Sequence, residues 1–321
     1  MKRFIYIFLF IGFIFLFITG CSDYNEINNV MIVDSIGIDK NNNTYLVSFN
    51  TYIGNNKYET YDVEVSDLDT SFNQIYLLVN KKIYLSHLNI LYLSSNLNNS
   101  DILDIINTFN NRDDLRGSFL VTMINNYDKD IFKNRNISTL LNNNYNESGY
   151  VYPVTFNEII SDYLDLSISY IPVIDNRDLS IKGSFSIFLE ERFYNIEESS
   201  YLNILFNKSN TLSFDIDNSL VKLINIDTCY LVNRNNITIN IKSLFVSNLD
   251  SRTIKSYLER NIYSFIKSNI NTNYFISLIK KYDYLYYKDH DIKNINFDIN
   301  IMLEKEEFNN TKGDDLIEKD S

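Results

Sequence analysis

The hydrophobic residues of this chain repeat with a period of two in some segments and of about 3.6 in others, and the two periods alternate along residues 43–303. A period of two is typical of half-buried strands, and a period of 3.6 is typical of amphipathic helices. A chain that alternates between them buries its helices against sheets. We therefore predict an α+β (mixed α/β) fold in which several small mixed sheets pack with amphipathic helices, in a lipoprotein of more than one subdomain.

In the first half of this pattern, predicted strands alternate with predicted helices. The strands are expected over residues 43–53, 88–93, 119–124 and 181–189, with an extended segment at 170–173. Three helices are expected to begin at the capping residues Asp69, Ser100 and Thr155. Thr155 also forms a capping box with Glu158. Their apolar stripes consist of Phe72, Ile75, Tyr76 and Val79, of Ile102, Ile105, Ile106 and Phe109, and of Phe156, Ile159, Ile160, Tyr163 and Leu164. The strand–helix–strand order predicts a βαβ unit, and Gly183 predicts a bulge or a close approach of two backbones.

Strands predominate from residue 211 onward. They are expected over residues 212–216, 220–231, 237–246 and 292–302, with one long helix capped by Asp250. Ile237, Ile239 and Ile241 alternate with polar residues, so one face of this sheet is expected to face water. We predict an N-terminal α/β domain over residues 21–210, a C-terminal domain of a β-sheet and a long helix over 211–303, and a disordered acidic tail over 304–321.

The first 21 residues have the organisation of a bacterial lipoprotein signal peptide. Lys2 and Arg3 precede an apolar run at residues 4–18, which is shorter than the roughly 20 residues of a spanning helix. The run leads into Ile18-Thr19-Gly20-Cys21, in which an aliphatic residue and two small residues precede cysteine, as in the lipobox. We predict a signal peptide over residues 1–20 and a diacylglycerol on the Cys21 thiol. A retained transmembrane anchor is the alternative interpretation.

The composition is acidic, with a formal net charge of −12. Cleavage would remove Lys2 and Arg3 and leave 27 basic against 41 acidic side chains, a charge of −14. An acidic surface repels phosphate backbones, which argues against nucleic acid as a general partner. It also argues against attachment to an anionic membrane through a basic face, so we expect attachment through the lipid on Cys21.

Few side chains in the sequence are candidates for a catalytic or metal-binding role. If Cys21 carries lipid, Cys229 has no partner for an intrachain disulfide, and its apolar neighbours predict a small core residue. His87, at the start of a predicted buried strand, is expected to have a structural role. The Asp289-His290-Asp291 sequence is expected to form a solvated turn, with a weak metal site as the alternative.

Acidic pairs are the remaining candidates. Asp113 and Asp114, between Arg112 and Arg116, are expected to mark a solvated turn at a helix end. Asp215 and Asp217 are only a weak candidate for a calcium site. Because no nucleophile motif, phosphate-binding loop or metal motif is present in the sequence, we predict no enzymatic activity, no cofactor and no resident metal.

Several short motifs follow one another in a fixed order. They are Cys21, Asp23 and Glu26-Ile27-Asn28, then Gly37-Ile38-Asp39, Leu85-Ser86-His87-Leu88, Arg112-Asp113, Pro172-Val173-Ile174 and Gly183-Ser184-Phe185-Ser186-Ile187-Phe188. In this order they resemble the Ger(x)C family, the C subunits of nutrient germinant receptors in endospore-forming bacteria. The chain departs from the family pattern at Ser22, where tryptophan is common, and it contains no tryptophan at all.

The resemblance implies a three-subdomain α/β lipoprotein on the outer, extracytoplasmic face of the spore inner membrane. Such a protein would act with the A and B subunits of a germinant receptor in the response to nutrients, without enzymatic activity. The residues alone leave open a solute-binding lipoprotein of a transporter. An extracytoplasmic hydrolase is disfavoured, because no nucleophile–base pair is visible in the sequence.

Overall fold

The described strands form two mixed sheets, one of nine strands and one of four. They are seen in a computed structural model of the 321-residue chain, which describes residues 30–55, 57–133, 136–165, 169–188, 191–233, 236–269 and 296–306. Six α-helices lie in these ranges. The mixed α/β class predicted from the alternating periods is confirmed, with the strands gathered into two sheets. The signal peptide, Cys21 and the turn at 289–291 lie outside the described residues.

The larger sheet contains the first nine strands of the described chain. They are β1 (Val30–Asn41), β2 (Thr44–Gly54), β3 (Lys57–Val65), β4 (Lys82–Tyr84), β5 (Ile90–Ser94), β6 (Leu120–Asn125), β7 (Ser169–Asp175), β8 (Ile181–Ile187) and β9 (Arg192–Asn195). Their order is β3-β2-β1-β5-β6-β7-β8-β9, and β4 pairs with the start of β1. The centre of the sheet is parallel, whereas β2, β3, β8 and β9 pair antiparallel at its two sides.

This part of the chain contains five α-helices, three of which lie in crossovers between neighbouring parallel strands. The five helices are α1 (Leu68–Val79), α2 (Asn99–Asn110), α3 (Ile137–Glu147), α4 (Phe156–Leu164) and α5 (Ile196–Leu205), and a 3-10 helix covers Lys129–Lys133. Parallel neighbours require a crossover between them, because a tight turn can join only antiparallel strands. Helix α2 is such a crossover between β5 and β6, which confirms the predicted βαβ unit.

The cap of α4 is as predicted, but the caps of α1 and α2 are not. Thr155 and Glu158 form the capping box of α4. Helix α1 is capped by Asp67, whose carboxylate accepts from the Asp69 backbone N–H at 3.2 Å, so the prediction of Asp69 was wrong. Helix α2 is capped by Asn98 in place of Ser100. Several residues that could act as caps precede each of these helices. The residue that caps the helix is the one with an extended backbone, and the sequence pattern does not reveal the backbone conformation.

The nine-stranded sheet is buried on both faces. In β5, Leu91 and Leu93 pack in a core with α1 and α2, whereas Ile90 and Tyr92 pack in a second core beneath the 3-10 helix and α3. A parallel strand that is covered on both sides has a near-continuous apolar sequence, as this one does.

Two glycines of the motifs identified in the sequence occupy crowded positions. A Cβ atom on Gly37 would lie 2.0 Å from the Tyr127 hydroxyl and 2.8 Å from the Phe132 ring. Gly183 has φ of 141°, and a Cβ there would lie 2.0 Å from the carbonyl oxygen of Tyr194 on β9. The predicted close backbone approach at Gly183 is confirmed, and both glycines are required by packing.

The smaller sheet has the order β10-β11-β12-β13. Its strands are β10 (Thr211–Ile216), β11 (Ser219–Asn233), β12 (Asn236–Val246) and β13 (Asn296–Lys305), and α6 (Ser251–Asn269) follows β12. The carboxylate of Asp250 accepts from the backbone N–H groups of Arg252 and Thr253 at 2.9 and 3.0 Å, which confirms it as the cap. The last strand is parallel to β12 and runs two residues beyond Leu303.

Helix α5 joins the two sheets. Every residue from Ser199 to Leu205 is buried, as expected for a helix that is covered on all sides. The amide nitrogen of Asn203 donates to the carbonyl oxygens of Gly149 and Tyr150 at 2.9 and 3.2 Å, and its amide oxygen accepts from the Tyr170 hydroxyl at 3.2 Å. These bonds satisfy a fully buried amide and fix α5 against β7 and the segment that follows α3.

Candidate functional site

A cleft of about 490 Å³ lies where α5 and β8 meet β10 and α6. A concave site of this size between two packed units is the default location for a bound ligand. Its described lining consists of Tyr150, Lys182, Asn195, Ile196, Glu197, Ser200, Tyr201, Leu212, Phe214, Asp215, Tyr257 and Leu258. We refer to it as the junction cleft.

Aromatic rings form much of its wall. The rings of Phe214 on β10 and Tyr257 on α6 are stacked, with centroids 5.5 Å apart and planes 8° from parallel. Tyr201 on α5 is buried and lies 5.8 Å, between ring centroids, from Phe265 on α6. Stacked and tilted ring pairs of this kind add to the stability that burial of their area provides. The wall is therefore packed from side chains of β10, α5 and α6.

The tyrosine hydroxyls of the cleft stay protonated at neutral pH. The Tyr201 hydroxyl donates to the Glu197 carboxylate at 2.7 Å, and burial together with this bond raises the pKa of Tyr201 well above its usual value. Burial and then the charge of Glu197 raise the pKa of Tyr257. Burial and then the charge of Asp215 raise the pKa of Tyr150. Near neutral pH these three tyrosines are therefore uncharged hydrogen-bond donors.

The charge balance of the cleft is negative. Glu197 and Asp215 are exposed carboxylates at its mouth, whereas the single lysine of its described lining, Lys182, lies 3.1 Å from the Asp178 carboxylate through its Nζ atom. Tyrosine faces beside carboxylates suit a small cationic group. The described lining contains neither histidine nor cysteine.

The residues singled out from the sequence lie away from this cleft. His87 is exposed in a turn, where its ring lies 5.5 Å from that of Tyr84. Arg112 and Asp114 form a bidentate pair at 2.9 and 3.0 Å in the turn after α2, where the sequence predicted a solvated turn. Among the residues that the structure describes, no group of three His, Cys, Asp or Glu side chains could hold a metal ion.

Cys229 is exposed, so its prediction as a core residue was wrong. The register of β11 against β12 shifts between Ile224 and Asp227, and Asn225 within this bulge has φ of 55°. An extra residue in one strand moves the following side chains to the opposite face. The buried positions of β11 therefore change from Val221 and Leu223 to Ile226 and Thr228, and Cys229 faces water.

Asp215 and Asp217 do not form a pair. Asp215 lies in β10, whereas Asp217 lies in the tight turn to β11 with φ of 48°. Asp215 lines the junction cleft instead, a role that the sequence did not indicate. Tyr201, Tyr257 and Glu197 were likewise missed, because the lining comes from segments far apart in the chain. The only signal for them was the abundance of tyrosine, 25 residues, which does not locate a site.

None of the helices in the described parts of the chain is long and apolar enough to cross a membrane. Cys21, the predicted lipid attachment site, lies before the first described residue, Val30.

Comparisons with known proteins bear on the N-terminal part and on the fold. Residues 23–176 match the family described as the spore germination protein N-terminal domain. No curated protein matches the chain. A solved structure described as the crystal structure of the GerBC protein aligns over 84% of this chain and 96% of that chain, with 13% identity and a TM-score of 0.50. At 13% identity, this match shows a similarity of fold only.

Proposed function

We propose that the chain is the lipid-anchored subunit of a nutrient germinant receptor, because residues 23–176 match the spore germination protein N-terminal domain. In this role it is a non-enzymatic interaction subunit that acts with the A and B subunits of the receptor in spore germination. It is held on the outer, extracytoplasmic face of the spore inner membrane by a diacylglycerol on Cys21. The observation that carries the proposal is the family match, which begins two residues after the lipobox cysteine.

The fold supports this proposal over a solute-binding lipoprotein of a transporter. Proteins of that class typically bind their ligand between two similar lobes. Here the two sheets differ in size and in strand order, nine strands with a parallel centre against four strands that are mostly antiparallel. The junction cleft lies between these unlike units. Neighbouring genes provide an inexpensive test, since a multi-spanning permease-like protein favours the receptor and an ATP-binding cassette pair favours the transporter.

The direct test is deletion of the gene, followed by germination assays in single nutrients and in a non-nutrient trigger. We expect the deletion to abolish or strongly slow the response to at least one nutrient and to leave the response to the non-nutrient trigger unchanged. In a strain without a redundant paralogue, normal germination in every nutrient would contradict the receptor role.

The anchor is tested separately by a Cys21→Ser variant. We expect it to remain unprocessed by the lipoprotein peptidase and to lack diacylglycerol, as read from the intact mass of the purified chain. Cys229→Ser is the matched control, because it removes the other cysteine of the chain and leaves the lipobox unchanged. A Cys21→Ser chain with the same lipid mass and membrane fraction as the control would exclude the thioether anchor.

A further inference from the structure

The junction cleft combines an apolar floor with a charged mouth. Leu212 on β10 and Leu258 on α6 are buried in its lining, each with 1% of its surface exposed. Glu197 and Asp215, in the same lining, are exposed to solvent. A molecule that fits both parts has an apolar body and a polar or charged group at one end, as is usual for ligands of concave sites.

The carboxylates of the mouth lack a positive partner. In the part of the chain that the structure describes, neither Glu197 nor Asp215 forms an ion pair with a lysine or an arginine. Glu197 accepts a hydrogen bond from the Tyr201 hydroxyl at 2.7 Å. Lys182, the lysine of the described lining, pairs at 3.1 Å with Asp178. Two carboxylates without a counter-ion at the rim of one cleft concentrate a negative field there and attract a cation.

The charge of these carboxylates also reaches the aromatic wall. Burial is the largest cause that raises the pKa of Tyr257, and the charge of Glu197 is the next. Arg260 lies 6.0 Å from the centroid of the Tyr257 ring and lowers this pKa, but its effect is smaller than that of Glu197. Asp215 acts in the same way on Tyr150, again after burial. The field along the wall is therefore negative, which favours a positively charged ligand.

Both sides of the edge of β10 contribute to the cleft. Phe214 stacks on Tyr257 of α6, whereas Asp215, the next residue of the strand, points to the other side. At this edge the Ser213 backbone N–H donates to the Ser148 carbonyl oxygen at 3.0 Å. Because the backbone groups of alternate residues point the same way, the N–H and C=O groups of Asp215 also face outward. The cleft therefore offers a backbone donor and acceptor next to a carboxylate.

The cation that suits this cleft is organic. Among the described side chains, no group of three His, Cys, Asp or Glu could hold a metal ion. The carboxylates of the cleft lie among tyrosine, phenylalanine and leucine side chains, which offer contact area to a hydrocarbon body but few oxygen ligands to a metal. The volume of about 490 Å³ is also in the range of sites for small molecules.

We propose that the junction cleft binds a small primary ammonium compound with an apolar body, a ligand that the proposed function does not assign. The apolar body packs on Leu212, Phe214 and Tyr257. The ammonium group lies at the mouth, where Glu197 and Asp215 attract it. Such a group carries three N–H donors, which suit carboxylate oxygens and the open carbonyl group at the edge of β10.

Fluorine NMR with a matched pair of probes tests this site. The amine para-fluorophenethylamine carries the ammonium group, and para-fluorophenethyl alcohol is its neutral counterpart. The fluorine resonance of a probe broadens when it exchanges with the full-length chain in detergent, and detergent without protein gives the baseline. We expect the amine to bind the wild-type chain with a dissociation constant of about 1 mM and the alcohol to bind at least about tenfold more weakly, because only the amine is charged.

Charge variants locate the bound amine. Glu197→Gln and Asp215→Asn remove one charge each with little change of shape, and we expect each to weaken amine binding by about 3- to 10-fold. Glutamine can still accept the hydrogen bond from Tyr201. Asp217→Asn is the matched control, because it removes the same charge in the neighbouring turn, outside the described lining. Asparagine tolerates the φ of 48° at this position, and amine binding should be unchanged.

Weaker amine binding in the two cleft variants, with the control equal to wild type, supports the proposal. Equal binding of amine and alcohol overturns it, as does unchanged amine binding in both cleft variants or equal weakening by Asp217→Asn. Wild-type broadening that does not exceed the detergent baseline also overturns it. Circular dichroism spectra check that every variant keeps its fold. None of these outcomes bears on the lipid anchor or the receptor role.

Discussion

The nine-stranded sheet and the four-stranded sheet differ in how many of their faces are covered. In β5, the four consecutive residues Ile90 to Leu93 are all buried. In β12, Ile237, Ile239 and Ile241 are buried, whereas Thr238 and Asn240 between them are not. A parallel strand with cores on both sides is apolar over most of its length, whereas a strand with α6 on one side alone alternates between apolar and polar residues. The contrast predicts where each sheet tolerates substitution.

The largest expected effects come from adjacent residues of β5. The side chains of Ile90 and Leu91 point to opposite faces of the sheet and lie in separate cores. Ile90→Ala and Leu91→Ala should each lower the free energy of unfolding by about 2–5 kcal/mol, because each leaves a cavity in its own core. In β12, Ile239→Ala should cost a similar amount, but its neighbour Thr238→Ala should change stability by less than about 0.5 kcal/mol. Urea unfolding followed by circular dichroism measures all four.

The proposed difference between the sheets is contradicted if Ile90→Ala or Leu91→Ala leaves the free energy of unfolding nearly unchanged. It is also contradicted if Thr238→Ala lowers that free energy as much as Ile239→Ala does. Either result would mean that the two sheets do not differ in covered faces. A normal native spectrum for each variant is the control that the fold is kept.

A smaller loss of stability is expected when the buried capping box of α2 is altered. The Asp101 carboxylate forms an ion pair with Lys40 and accepts from the Tyr45 hydroxyl and the Asn98 backbone N–H, both at 3.1 Å. Asp101→Asn should cost about 1.5–3 kcal/mol, as for hydrogen bonds to a charged group. Glu198→Gln is the matched control, because Glu198 occupies the same position of the more exposed box at α5, where we expect about 1 kcal/mol or less.

The ion pair between Asp101 and Lys40 predicts that the stability of the protein depends on pH. Burial would raise the pKa of Asp101, but the bonds from Lys40, the Asn98 backbone and Tyr45 outweigh it and hold the pKa below its usual value of 3.8. A carboxyl with a lowered pKa in the folded state stabilises the protein above pH 3.8, and this stabilisation is lost as the pH falls through the folded-state pKa. The stability difference between wild type and Asp101→Asn should therefore shrink below pH 3.8. A difference that is constant from pH 7 to pH 3 would rule out the ion pair as its source.

The smallest expected effect is at Cys229, on the water-facing side of β11. Cys229→Ser should change stability by less than about 0.5 kcal/mol. In the lipidated native protein, one thiol should react with Ellman's reagent about as fast as in urea. Protection of the thiol until the protein unfolds would mean that the bulge at Asn225 does not form.

Sequence reasoning succeeded where structure depends on near neighbours. The Thr155–Glu158 capping box, the cap at Asp250 and the alternation of Ile237, Ile239 and Ile241 each depend on residues within a few positions of one another. It failed at Cys229, where one residue inserted upstream reverses which face a side chain occupies. It also failed at the caps of α1 and α2, where neighbouring acceptors compete for the same backbone groups.

The candidate site was beyond sequence reasoning for a different reason. The lining of the junction cleft runs from Tyr150 to Leu258, and no spacing rule relates residues so far apart.

Local periodicity, capping boxes and the ordered motifs are encoded within short windows, so the chain by itself determined the fold class, the family resemblance and the predicted lipid site at Cys21. The order of the strands, the bulge in β11 and the grouping of side chains at the junction cleft were decided only by the tertiary structure. These features arise from contacts between distant segments, whose free energies depend on packing that no local pattern records.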